Sequence, residues 1–159
     1  MTKGFAALLL PIALLGCGED QHDATYYLKN EAERVKTHKG CQAQGPRVRA
    51  TADCLAAKAA HEQIAMDLVR RDLKDPQSAL FDGMYSAWET EVCGNVNAKN
   101  SYGGYVGKRV FYANVDAKTV IFFDGGGLTR GTREGEAALR CMNWTIHIAE
   151  EALGDTRPK

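Results

Sequence analysis

Residues 108–124 read "KRVFYANVDAKTVIFFD", two runs of β-branched and aromatic residues separated by a short polar stretch. Val, Phe, Tyr and Ile at this density suit a pleated surface, and "NVDAKT" between the runs predicts a tight hairpin turn. The run over 120–123 carries no polar side chain and is expected to be a buried strand. Just upstream, "ALFDGMYSAWETEVCG" at 79–94 offers one or two more strands, and Gly125, Gly126 and Gly127 break the sheet on the other side. These segments define an antiparallel meander of about four strands.

Helical periodicity flanks the meander. Over 52–73, Cys54, Ala57, His61, Ile64 and Leu68 form one apolar stripe, with Leu55, Ala59, Met66, Val69 and Leu73 beside it. Thr51 or Asp53 starts this helix, and Asp75-Pro76 ends it. An earlier helix is expected from Thr25 as cap to Gly40 as stop, with Glu31 and Glu33 ahead of Arg34 and Lys36. "CQAQGPRVRATAD" between the two reads as a loop through Gly45-Pro46. A closing helix over about 133–153 has Thr132 as cap and Glu134 and Glu136 in its first turn. Leu139, Met142, Ile146, Ala149 and Leu153 make its core stripe. The fold class is therefore α+β: an N-terminal helical hairpin, then the meander, then a C-terminal helix, with the helices expected on one face of the sheet.

The N-terminus, "MTKGFAALLLPIALLGCGED", has one basic residue ahead of eleven apolar ones. Eleven residues make about 16 Å of helix, too short for a hydrocarbon core of ~30 Å. That is the pattern of an export signal. Leu14-Leu15-Gly16-Cys17 resembles the lipobox of bacterial lipoproteins. The resemblance implies cleavage before Cys17 and acylation of that residue, and Gly18 in place of Asp points to the outer membrane, facing the periplasm. The expected organisation is a signal over 1–16, a tether over 17–24, a disulfide-closed helical segment over 25–73, and an α+β domain over 75–154.

Cleavage removes Lys3 and no acid, so 19 Lys+Arg face 20 Asp+Glu. That balance carries no nucleic-acid footprint. "RRDLK" at 70–74 is the densest basic run and reads as a solvated helix end. Four cysteines follow Cys17, an even set that an oxidising envelope pairs. Of three connectivities, Cys41–Cys54 and Cys93–Cys141 keep each bridge within its own segment.

Chemistry-bearing motifs are sparse. His38, Cys41, Cys54 and His61 have the residue types of a zinc site. Oxidation of exported thiols and the seven-residue gap from Cys54 to His61 oppose that reading, which leaves no metal or other cofactor and His61 as a half-buried helix residue. His147 and Glu151 share a helix face and read as a surface pair. "DGGGLTRGTREGE" lacks the third glycine of a dinucleotide fingerprint and the Gly-Lys-Ser/Thr of a P-loop. The remaining candidate is "CGNVNAKNSYGGYVGKRV", opening at Cys93. Its asparagines and glycines suit a long strand-to-strand loop. The same loop offers a recognition surface through Asn97, Lys99, Asn100, Tyr102 and Tyr105. Ser101 has no base close in sequence, so catalysis is not expected.

"YYLKNEAERVKTHKGCQ", then "ADCLAAKAA", close behind a lipobox, resembles the entry-exclusion lipoproteins of conjugative elements (EexN-like) over roughly residues 1–61. "LVRRDLKDPQSALF" with the 92–111 stretch is similar to a small domain of exported bacterial proteins with no established activity. The first resemblance implies a non-enzymatic envelope protein, anchored to the membrane by lipid, that meets conjugative transfer machinery. Tyr26 and Tyr27 join Tyr102 and Tyr105 as candidate contacts, with core packing as their other possible role. The alternative is a periplasmic small-ligand-binding module using the 93–107 loop.

Overall fold

The computed structural model describes residues 21–44, 46–123 and 129–153, with the side chains of Pro46 and of residues 144–153 aside. The chain is α+β, with helices first, a four-stranded antiparallel sheet next and a C-terminal helix last. Cys17, the signal and the Gly125 to Gly127 turn lie outside the described residues, as do the side chains of Ile146, His147, Ala149, Glu151 and Leu153.

The first helix is two. α1 (Ala24–Lys29) and α2 (Glu31–Gln42) meet at Asn30, whose φ of −116° and ψ of 77° leave the helical region. Asn30 Nδ2 donates to the Tyr26 carbonyl at 2.9 Å, and its backbone N–H donates to the same oxygen at 3.0 Å. A short amide side chain thus offers the backbone a local alternative to the helix ladder. The N-cap is Asp23 rather than Thr25: its carboxylate accepts from the Tyr26 N–H at 2.8 Å. Gly40 does not stop α2, which continues to Gln42 with Cys41 buried and bridged. The expected loop holds one further turn, α3 (Pro46–Arg49).

α4 (Ala52–Arg71) is the long helix read from the periodicity, with Thr51 at its N-cap. Cys54, Ala57, His61 and Leu68 are buried as the first stripe requires. Of the second stripe, Val69 is buried, whereas Leu55 and Ala59 face solvent. A 3-10 turn at Pro76–Ser78, with Asp75 accepting from the Ser78 N–H, leads into the sheet.

β1 (Leu80–Ala87), β2 (Glu91–Asn97), β3 (Arg109–Asn114) and β4 (Thr119–Phe123) pair in sequence order. Gly83, at φ 57°, marks a bulge where the β1–β2 register shifts between Asp82 and Tyr85. Lys118, at φ 53°, completes the turn between β3 and β4. A Cβ on Gly94 would stand 2.9 Å from Met84 and 3.1 Å from the Phe111 ring, so glycine lets Phe111 lie across β2.

Both faces of the sheet are covered, which corrects the expectation of helices on one face. Val92, Val96, Phe111 and Ala113 pack with Ala65 and Val69 of α4. Their alternates on the other face, Cys93 and Tyr112, pack with Ala137 and Cys141 of α5 (Arg133–Leu153). Alternation with period two forces this: a sheet apolar on both faces needs two layers of cover. Glu91, 2% exposed, pairs with Arg140 and ties α5 to β2 a second time. β4 is half-buried throughout rather than buried, because it forms the sheet's edge. Met142 is exposed and stands off the core stripe expected for it.

Both disulfides form: Cys41–Cys54 joins α2 to α4, and Cys93–Cys141 joins β2 to α5, with Cα separations of 5.7 and 6.0 Å. The sequence separations are 13 and 48 residues. Loop-closure entropy then gives stabilisation of about 3 and about 4 kcal/mol respectively. Replacing Cys93 and Cys141 by Ala should therefore lower the urea midpoint more than replacing Cys41 and Cys54. The reverse order would show that native packing, rather than chain entropy, sets the contribution of the bridges.

Candidate functional site

The 93–107 stretch comprises the end of β2 and an extension of the β2–β3 connection. Past β2 the chain makes one further antiparallel bridge, Lys99 to Tyr105, closed by a turn over 100–104. Asn100 organises the turn: its Oδ1 accepts from the Tyr102 N–H at 2.9 Å and the Gly104 N–H at 3.2 Å. Asn97 Oδ1 accepts from the Gly107 N–H at 3.1 Å. These asparagine oxygens hold the loop's own backbone, the turn role that their residue type favours. Gly103 and Gly107, at φ 82° and 94°, occupy the left-handed region.

Ser78 anchors the extension to the body. Its Oγ accepts from the Lys99 N–H at 2.8 Å, and its carbonyl accepts from the Tyr105 hydroxyl at 3.3 Å. Lys99 Nζ lies 5.6 Å from the centroid of the Tyr105 ring. Tyr102, at the apex, is 97% exposed, and Tyr105 and Val106 are also exposed. Ser101 sits on the exposed turn. Between the extension and the end of α4 lies a recess of about 190 Å³, floored by Leu73, Val96 and Ala98.

The other two candidate tyrosines are elsewhere. Tyr27 is 2% exposed, packs on Ala57 and Ala60 of α4, and donates its hydroxyl to Asp53 at 3.3 Å. Core packing is its role. Tyr26 is half-buried, with His22 stacked on it at 3.7 Å between centroids. The structure thus brings Asn97, Lys99, Asn100, Tyr102 and Tyr105 together and leaves Tyr26 and Tyr27 in the helical half.

The helical half holds two strongly shifted histidines. His38 of α2 and His61 of α4 are each 1% exposed and stack at 4.3 Å with 15° between ring planes. His61 is thus fully buried, not half-buried as its helix position alone suggests. Arg34, 3% exposed, is buried on the same helix as His38. His38 Nε2 and Arg34 Nε have no hydrogen-bond partner among the described residues, and the His61 ring has at most a weak contact with the Thr90 backbone. Burial, then the His61 ring and the Lys58 and Arg34 cations, lowers the His38 pKa to about 3, with Glu89 acting the other way. Burial and then Arg34 lower that of His61 to about 4. The sulfurs of Cys41 and Cys54 are joined to each other and present no thiolate. Among the described residues no group of three or more His, Cys, Asp or Glu is arranged to hold a metal ion. The sequence shows both histidines, but their stacking depends on how α2 crosses α4, which no local pattern encodes.

Set against family models, curated proteins and solved structures, the chain finds no match in any of the three.

The histidine pair fixes a pH dependence. Both rings are neutral in the folded protein, whereas the unfolded chain takes up protons near pH 6.5. Stability is full above that value and falls with pH until the folded rings titrate, near 4 and 3. Between pH 7 and pH 5 each ring accounts for a loss of roughly 2 kcal/mol. Urea titrations at both pH values should show the loss in the native chain and little of it in a His38→Leu/His61→Leu variant. An equal loss in that variant would place the acid sensitivity elsewhere.

Proposed function

We propose that this chain is a lipid-anchored envelope protein of interaction type that acts in entry exclusion, impeding redundant conjugative transfer. The observation that carries the reading is the pairing of all four cysteines downstream of Cys17 into two bridges, one in each half. Bridged thiols belong to an oxidising compartment, and the Leu-Leu-Gly-Cys signal is an address to one. The described helices include none long and apolar enough to cross a membrane; in this reading the acylated Cys17 holds the protein to it. A rigid body with an aromatic apex supplies a contact for arriving transfer machinery. Tyr102 is that apex, and exposed tyrosine contributes large contact area at small entropic cost. The role is binding and not catalysis.

A second reading is favoured by the recess beneath the loop: a periplasmic module that binds a small ligand through residues 98–109. Both readings use the same extension, one through its tip and the other through its underside.

Deleting the gene should raise acquisition of a matching element by its carriers. Tyr102→Ala should reproduce that rise while the protein stays at normal abundance. Mass spectrometry of the mature N-terminus should find acylated Cys17. Unchanged transfer frequency, or an unmodified chain beginning at Met1, would overturn the proposal.

A further inference from the structure

We propose that β4 pairs with β4 of a second copy of this chain, joining two four-stranded sheets into one across a two-fold axis. This surface is separate from the 93–107 loop, and neither reading of that loop bears on it. The sheet has two edges, β1 and β4. β1 carries devices that keep an edge from pairing. It has a bulge at Gly83, where φ is 57° and the register shifts between Asp82 and Tyr85, and it has the Asp82 carboxylate, paired with Lys108. β4 carries none of them. Thr119, Val120, Ile121, Phe122 and Phe123 include no charge, proline or glycine, and all five pair with β3 in unbroken register. Among the described residues no strand or isolated bridge pairs with the outer side of β4. Alternate N–H and C=O groups along about 17 Å of strand therefore point away from the sheet.

Self-complementarity suits this edge to a second copy. A two-fold axis through Ile121, perpendicular to the sheet, makes the two strands antiparallel and keeps each face continuous. Thr119 of one copy then stands opposite Phe123 of the other, Val120 opposite Phe122, and Ile121 opposite its own equivalent. Directly opposed residues share a face, so Val120 and Phe122 stay on the α4 side and Ile121 and Phe123 on the α5 side. Each pair joins a β-branched residue to an aromatic or to another β-branched one, combinations that stabilise neighbouring strands. Charge permits the arrangement. A residue on a two-fold axis meets its own copy, so a charged one would repel itself. β4 has no charged residue, and the chain balances 20 basic residues with 20 acidic ones. All five side chains are half-buried, so pairing covers apolar surface that the monomer leaves wet. Five residues a side make a contact below the standard size, and the dimer is a weak one, with a Kd of roughly 10–100 μM.

Sedimentation equilibrium of the full chain in a density-matched non-ionic detergent tests the association. Monomer at about 1 μM and mostly dimer at about 1 mM is the expected result. Amide exchange of the 15N-labelled chain locates the contact. Within residues 119–123 the outward-pointing amides should slow roughly five- to fifteenfold across that range, while those bonded to β3 stay as they are. Ile121→Lys sets two ammonium groups face to face on the axis and should raise the Kd at least about tenfold. Because Ile121 also packs beside Cys93 and Tyr112, Thr119→Lys, outside the core clusters, is the second variant and should act in the same direction. Leu80→Lys on the β1 edge should leave the Kd unchanged, and the amide spectrum of β2 reports that each variant is folded. A monomer at every concentration with fast outward amides would overturn the proposal and leave the edge to a strand of a different protein. Slow exchange of all the 119–123 amides in a monomer would show that the chain covers its own edge, and self-pairing would fail. A dimer weakened by Leu80→Lys and by neither β4 variant would put the contact elsewhere and contradict the proposal equally.

Discussion

One helix carries the architecture. α4 presents Cys54, Ala57, Ala60 and His61 to the N-terminal helices and Ala65 and Val69 to the sheet. The two segments that the sequence divides near residue 74 therefore share a side of the same rod and pack as one body. Small residues make the sharing possible. Ala57, Ala60 and Ala65 are fully buried, and alanine lets a neighbouring backbone approach closely while costing no side-chain entropy on ordering. A bulky residue at any of the three would have to displace either Tyr27 or the floor of the sheet.

Around that rod, covalent and electrostatic constraints oppose each other. The Cys41–Cys54 bridge pins α2 to α4 at one level, and the stacked His38–His61 pair occupies the same helix interface. Burying two neutral imidazoles beside a buried arginine is tolerable only while the rings stay uncharged. An ion pair from Lys39 to Glu89 at 3.4 Å adds a link from α2 to the turn between β1 and β2. Being exposed, it contributes little by itself. On the far side of the sheet the same logic recurs, with Cys93–Cys141 as the covalent tie and Glu91 with Arg140 as the polar one.

Local signals were legible and crossings were not. Runs such as "VFYAN" and "TVIFF" specify strands by their own composition; the even count of cysteines implied two bridges, and keeping each within its own segment selected one of three connectivities, the one observed. The Asn30 break hides inside a stretch of good helix formers and shows only through the hydrogen bonds of its side chain. Placement of α5 was readable in principle: Cys93 alternates with Val92 and Gly94, so a bridge to Cys141 assigns α5 to the face that α4 does not cover. In the candidate loop, the turn-forming character of Asn97 and Asn100 was visible, as was the aromatic content. The recess was not, because Lys74 and Arg109 reach it from elements that are distant in sequence.

The central claim is that α4 makes the helical half and the sheet one cooperative unit. Site-resolved urea unfolding at pH 7, followed by amide signals in α2 and in β2, tests it directly. A shared midpoint for both sets of amides is the predicted result. Loss of the α2 signals at a lower urea concentration, with β2 still native, would contradict it.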